Sequence, residues 1–160
     1  MAKVNPAGKW VWIIVSQLLV WVSIAFAYGD SPHEEANHSE EGGAVNVVMK
    51  EWFVLPDKMV VDEGRVTFKV ANHGHMDHEF IIIKTEIPVH DLPVHEKGLD
   101  EKKAGKAIGE IEDLRPGEVK ELTINMPRGK YVLFCNKVEI EDHKIISHYR
   151  HGMRVAFTVK

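Results

Sequence analysis

Cys135 is the only cysteine in the chain, and the side chains spaced around it are metal donors: His148 and Met153 follow it, and His78 precedes it. Taken singly, each has an ordinary explanation. A lone cysteine packs as a small apolar residue, and a methionine beside a strand is ordinary core. An exposed histidine needs no role. Together, however, they supply once a thiolate, two imidazole nitrogens and a thioether. A trigonal His2Cys set with a weak axial Met is what a blue-copper electron-transfer centre requires.

The compartment sharpens the argument about the thiol. Lys3 and Lys9 precede an apolar run from Trp10 to Ala27 that carries no charge and ends Ala25-Phe26-Ala27. A charged start, an apolar stretch and a small-residue exit form a secretory signal with cleavage after Ala27. A run of this length also approaches a membrane span, so an uncleaved anchor is the other reading. Both readings place the remainder outside the cytoplasm, in the periplasm or another extracytoplasmic space. One cysteine there cannot make an intramolecular disulfide, and a free thiol in an oxidising compartment must be buried, catalytic or metal-bound.

Residues 28–43 read as an acidic linker without periodicity, and residues 44–160 as one domain. His33 and His38 lie in that linker, where a solvated tether explains them without a metal. The chain has 160 residues, is 44% apolar and carries a formal charge of −4. Losing residues 1–27 removes two lysines and no acid, which moves the charge to −6. An acidic exported chain argues against a nucleic-acid partner.

The elements that must position the donors are strands. Short runs rich in Val, Ile, Phe and Thr alternate with turn residues, an all-β pattern. Val45–Leu55 reads as a first strand and Met59–Val61 as a short second one. In Arg65–Ala71, Val66, Phe68 and Val70 share one face, so one side is buried and the other wet. His78–Thr85 is a more apolar strand. Residues 86–107 break the rhythm with Pro88, Pro93, Gly98 and Gly105, and read as a surface excursion in which Leu99–Ala104 forms a helical turn or two. Ile108–Ile111, Val119–Met126, Lys130–Asn136 and Arg154–Lys160 complete seven or eight strands of a two-sheet Greek-key sandwich. Tyr131, Leu133 and Cys135 share a face, which points the thiol inward at a strand end.

Three stretches resemble the plastocyanin and azurin family of cupredoxins. The run from Val66 through the Asn72-His73-Gly74 turn to His78-Glu79-Phe80 is similar to the family's strand, turn and His-Glu-Phe motif. Lys130–Asn136 is similar to its thiolate strand. His148-Tyr149-Arg150-His151-Gly152-Met153, running into an Ala-Phe-Thr-Val strand, is similar to its His-x(4)-Met ending. The resemblance implies one type 1 copper, with His78, Cys135 and His148 as equatorial ligands and Met153 as the axial one. Twelve residues separate Cys135 from His148, a longer loop than is usual in the family, so His143 and His151 compete for the second imidazole place. The spacing to Met153 favours His148. His73 and His75 are read as surface residues, and Asn72 and Asn136 as amides that link the ligand segments or bond the sulfur.

A closed set of four side chains leaves no substrate position, so the expected function is one-electron transfer to redox protein partners rather than catalysis. In the family, electrons pass through the exposed edge of the C-terminal histidine, here His148, and the acid-rich insertion beside it points to a basic or mixed partner. A copper carrier or storage protein is the alternative; a metal-free sandwich for adhesion or assembly would give Cys135 no purpose.

Overall fold

The structure is a computed structural model and describes residues 42–160. The N-terminal signal or anchor segment and nearly all of the linker lie outside the described residues. Among the described residues, no helix is long and apolar enough to cross a membrane.

Alternating apolar residues build the first sheet. Strand β1 (Gly43–Lys50) buries Val45, Val47 and Met49, and β4 (Gly64–Asn72) buries Val66, Phe68 and Val70. The two run parallel, flanked by β2 (Phe53–Pro56) and β9 (Val119–Met126) in the order β2-β1-β4-β9. The second sheet is ordered β3 (Val60–Val61), β13 (Arg154–Val159), β10 (Gly129–Phe134), β5 (His78–Lys84) and β8 (Lys106–Leu114). The inner faces meet in one core. Phe68 of the first sheet lies 5.6 Å, ring to ring, from both Phe80 and Phe157 of the second. Tilted aromatic contacts at this spacing add to the area term of burial.

Strand β5 is buried on both faces, as its near-continuous apolar run requires. Phe80 and Ile82 face the inter-sheet core, while Ile81 and Ile83 join a second cluster with Leu92, Leu99, Ala104, Val132, Phe134 and Tyr149. Residues 86–105 cover that outer face with a small ribbon, β6 (Val94–His95) and β7 (Gly98–Leu99), and one helical turn, α1 (Glu101–Ala104).

Two expectations shift. The two sheets hold nine strands rather than seven or eight, because the single strand expected over Val45–Leu55 turns at Glu51 and Trp52 and folds back as β2 on β1. The stretch after Cys135, expected as a loop, is an antiparallel hairpin, β11 (Val138–Glu141) and β12 (Lys144–Ser147).

Candidate metal centre

Antiparallel pairing brings the donors to one end of the second sheet. β10 lies between β5 and β13, so Cys135, just beyond its last residue, meets the start of β5 at His78 and the start of β13 at Met153. The Cys135 N–H donates to the Met153 carbonyl at 3.0 Å, which extends the ladder by one rung. The hairpin explains how a long insertion leaves His148 in place. Val138 pairs with Ser147, and the His148 N–H donates to the Lys137 carbonyl at 3.0 Å, so the ribbon returns the chain to its point of departure. From there a tight turn, with Met153 N–H on the His148 carbonyl at 3.2 Å, carries the chain into β13.

Among the described residues, one group of this kind converges: His78, Cys135 and His148, all buried. The two Nδ1 atoms are 3.1 Å apart, and Cys135 Sγ lies 3.4 Å from His148 Nδ1 and 4.0 Å from His78 Nδ1. Met153 is fully buried at the same strand end. Three protein donors so close, two imidazole nitrogens and a sulfur, are the chemistry of a copper site, and they fit a single ion. Burial pushes the Cys135 thiol up to about 12, although the backbone N–H groups of Glu79 and Lys137 pull the other way. Without a cation the site holds a neutral thiol; a metal ligand must be a thiolate. Burial, reinforced by His78, lowers His148 to about 4, and burial lowers His78 against the opposing pull of Glu51 and Asp77. Both rings are therefore neutral at ordinary pH, the form that binds metal.

The other histidines fall outside the group. His143 is exposed at the hairpin tip, and His151 is exposed with its Nδ1 2.8 Å from the Ser147 carbonyl. His73 and His75 are exposed in the turn before His78. Neither asparagine bonds the sulfur. Asn72 donates to the Met76 and Leu114 carbonyls at 2.8 and 2.9 Å and accepts from the Gly74 N–H, so it shapes the turn and ties it to β8. Asn136 exchanges bonds with Leu99 and donates to Glu101, which binds the thiolate segment to the excursion. Cys135 Sγ accepts the Glu79 N–H at 3.4 Å, and the Glu79 carboxylate in turn accepts the Asn136 N–H at 2.9 Å. Glu79 thus joins the two ligand segments from inside the His-Glu-Phe motif.

His148 is not an exposed edge: it is 0% accessible. Trp52, from the turn between β1 and β2, packs edge-on against it at 5.4 Å and stacks on His151 at 4.4 Å. No motif marked Trp52, since its distance in sequence from His148 hides the contact. Two acids also approach the rings, Glu51 from the same turn as Trp52 and Glu139 from the acid-rich insertion. Glu51 Oε1 lies 3.7 Å from His78 Nε2, and Glu139 Oε1 lies 3.7 Å from His148 Nε2.

No protein-family model matches the chain, and no curated protein matches it. Solved structures do. Dithionite-reduced auracyanin from the photosynthetic bacterium Roseiflexus castenholzii is similar over 74% of this chain and 97% of its own, at 19% identity and a TM-score of 0.50. Auracyanin A, a "blue" copper protein from Chloroflexus aurantiacus, matches over 74% and 100% at 19% identity and a TM-score of 0.46. Rusticyanin from Thiobacillus ferrooxidans matches over 73% and 77% at 19% identity and a TM-score of 0.44. The likeness to the Roseiflexus protein is one of fold: this chain carries a β-sandwich of the cupredoxin type.

Proposed function

We propose that this chain is a type 1 blue-copper protein that passes single electrons, whose copper would be held by His78, Cys135 and His148 together with Met153. One observation carries the reading: two buried Nδ1 atoms and a buried Sγ converge within 4.0 Å at the end of a rigid sheet. When bound, copper supplies a one-electron couple. The chain's residues supply the rest: the strands fix the donors before the metal arrives, the Glu79 N–H lies against the sulfur, and Trp52 keeps water from His148. Preorganised, dry donors suit electron transfer, since little has to rearrange. Their burial also weighs against a carrier, which would need exposed and labile ligands. The closed set leaves no substrate position, so the protein is not an enzyme. Redox protein partners dock over His148, on the surface formed by Trp52 and His151, in an extracytoplasmic space to which residues 1–27 deliver the chain or hold it at the membrane.

Copper addition followed by a visible spectrum tests the assignment. The loaded protein is expected to be intensely blue or green from thiolate-to-copper charge transfer, and Cys135→Ser colourless. His148→Ala should also lose the colour. Colour surviving in Cys135→Ser would show that the thiolate assignment is wrong.

A further inference from the structure

His78 and His148 share an unusual feature at the nitrogen that faces away from the donor cluster. With each Nδ1 turned to Cys135 Sγ, each Nε2 is the ring's remaining polar atom, and both are buried without a hydrogen-bond partner. A ligand imidazole ordinarily finds a carboxylate, carbonyl or water for that N–H, which fixes the ring and raises its basicity. Here the nearest acceptors are carboxylates, one for each ring and at the same distance: Glu51 Oε1 at 3.7 Å from His78 Nε2 and Glu139 Oε1 at 3.7 Å from His148 Nε2.

Both acids are placed by structure. Glu51 Oε1 accepts the His75 and Met76 N–H groups at 2.8 Å each, so its carboxylate is pinned under the turn that leads to His78. A Cβ on Gly74 would lie 2.5 Å from Glu51 Oε1, so a side chain there would have to push the carboxylate aside. Glu139 stands on β11, opposite Ile146, one residue into the ribbon that returns the chain to His148. Their side chains keep only 22% and 28% of their accessibility, which limits screening by solvent.

We infer that Glu51 and Glu139 are positioning residues for the copper centre, one behind each ligand imidazole, and that the inserted hairpin serves to deliver Glu139. The inference rests on the blue-copper reading above. A site of one cupric ion, one thiolate and two neutral imidazoles carries one positive charge, and the cuprous form carries none. Two carboxylates behind the rings favour the charged, oxidised form. They therefore lower the reduction potential and tighten the site for any divalent ion.

The test uses the full chain with Glu51→Gln, Glu139→Gln and the double substitution. Glutamine keeps an acceptor oxygen, so the turn over Glu51 retains its backbone bonds. Two quantities are read: the midpoint potential of the copper protein by voltammetry, and the zinc affinity of the metal-free protein by chelator competition. Each substitution should move the Cu(II)/Cu(I) balance about tenfold toward Cu(I), about 59 mV upward for a one-electron couple. Zinc affinity should fall about tenfold. Glu139→Asp, which restores the charge, should recover part of both effects. Glu141→Gln, an exposed acid of the same hairpin, serves as the control for charge alone. Shifts no larger than the control's in both measurements would overturn the inference. A wild-type protein that binds copper without the charge-transfer band would instead overturn the blue-copper reading, while the zinc measurement would still decide what the carboxylates do.

Discussion

The three buried titratable side chains of the cluster make the metal-free protein sensitive to pH in both directions. His148 holds a pKa of about 4 in the fold because burial, then His78, disfavours its cation. In the unfolded chain it returns to about 6.5. Between those values the unfolded chain binds a proton that the folded chain refuses, so stability falls as pH falls. The contribution is complete above about pH 6.5, and the loss on going from pH 7.5 to 5 is about 2 kcal/mol from His148 alone. His78 shifts in the same direction. Cys135 acts at the other end. Its thiol, raised to about 12, keeps its proton while an unfolded cysteine loses one near 8.5, so stability also falls above about pH 8.5. Urea unfolding of the metal-free protein should therefore give a maximum between pH 6.5 and 8.5. His148→Gln should flatten the acid limb, and a wild-type stability that is constant from pH 4.5 to 7 would refute the burial argument.

At the scale of elements, the hairpin β11–β12 is what separates this chain from a short ligand loop. Its two-residue tip, Asp142 and His143, has positive φ at both positions, 46° and 64°. That is the arrangement of a type I′ turn, for which Asn-Gly is the preferred pair. Asp142→Asn with His143→Gly should therefore stabilise the protein by about 1 kcal/mol, read from the shift in thermal midpoint, and leave the blue spectrum unchanged. Loss of colour in that variant would show that His143 takes part in the site. The alternation of Val66, Phe68 and Val70, the inward set Tyr131, Leu133 and Cys135, and the terminal strand were all legible, because one face of each meets the core and period two is the signature of that burial. The hairpin was not. Ile140 and Ile145 pair with each other across a ribbon and stay 75% and 43% exposed, so no core imposed a pattern on its charged sequence. The turn at Glu51 and Trp52 has no Gly or Pro to announce it, which hid the break between β1 and β2. With that break went Glu51 and the Trp52 cover, contacts that only the folded chain creates. Three of the four donors, by contrast, could be found by type and spacing and stand together in the structure; Met153 stands buried beside them.

At the scale of the whole molecule, what covers the cluster decides what can approach it. His148 lies behind Trp52, and the outermost ring above it is His151, stacked on that indole. The groups over the cluster are thus an aromatic pair rather than a histidine edge, with the carboxylates of Glu51 and Glu139 close to the two rings. Carboxylates beside a redox site raise the local concentration of cations and speed their encounter, and salt screens the attraction over a Debye length of about 8–10 Å at ordinary ionic strength. The reduced copper protein should exchange electrons rapidly and reversibly with a cationic small-molecule oxidant, at a rate that falls as salt is added, and should do so more slowly and with the opposite salt dependence for an anionic one. A copper carrier would behave differently. It would yield its metal to a modest chelator and show sluggish, irreversible voltammetry, because its ligands would have to open for transfer. The 0% accessibility of His78, Cys135 and His148 predicts retention. Voltammetry and chelator competition on the same copper-loaded sample separate the two functions: reversible waves with slow copper loss support electron transfer, and irreversible waves with ready loss would replace it with the carrier.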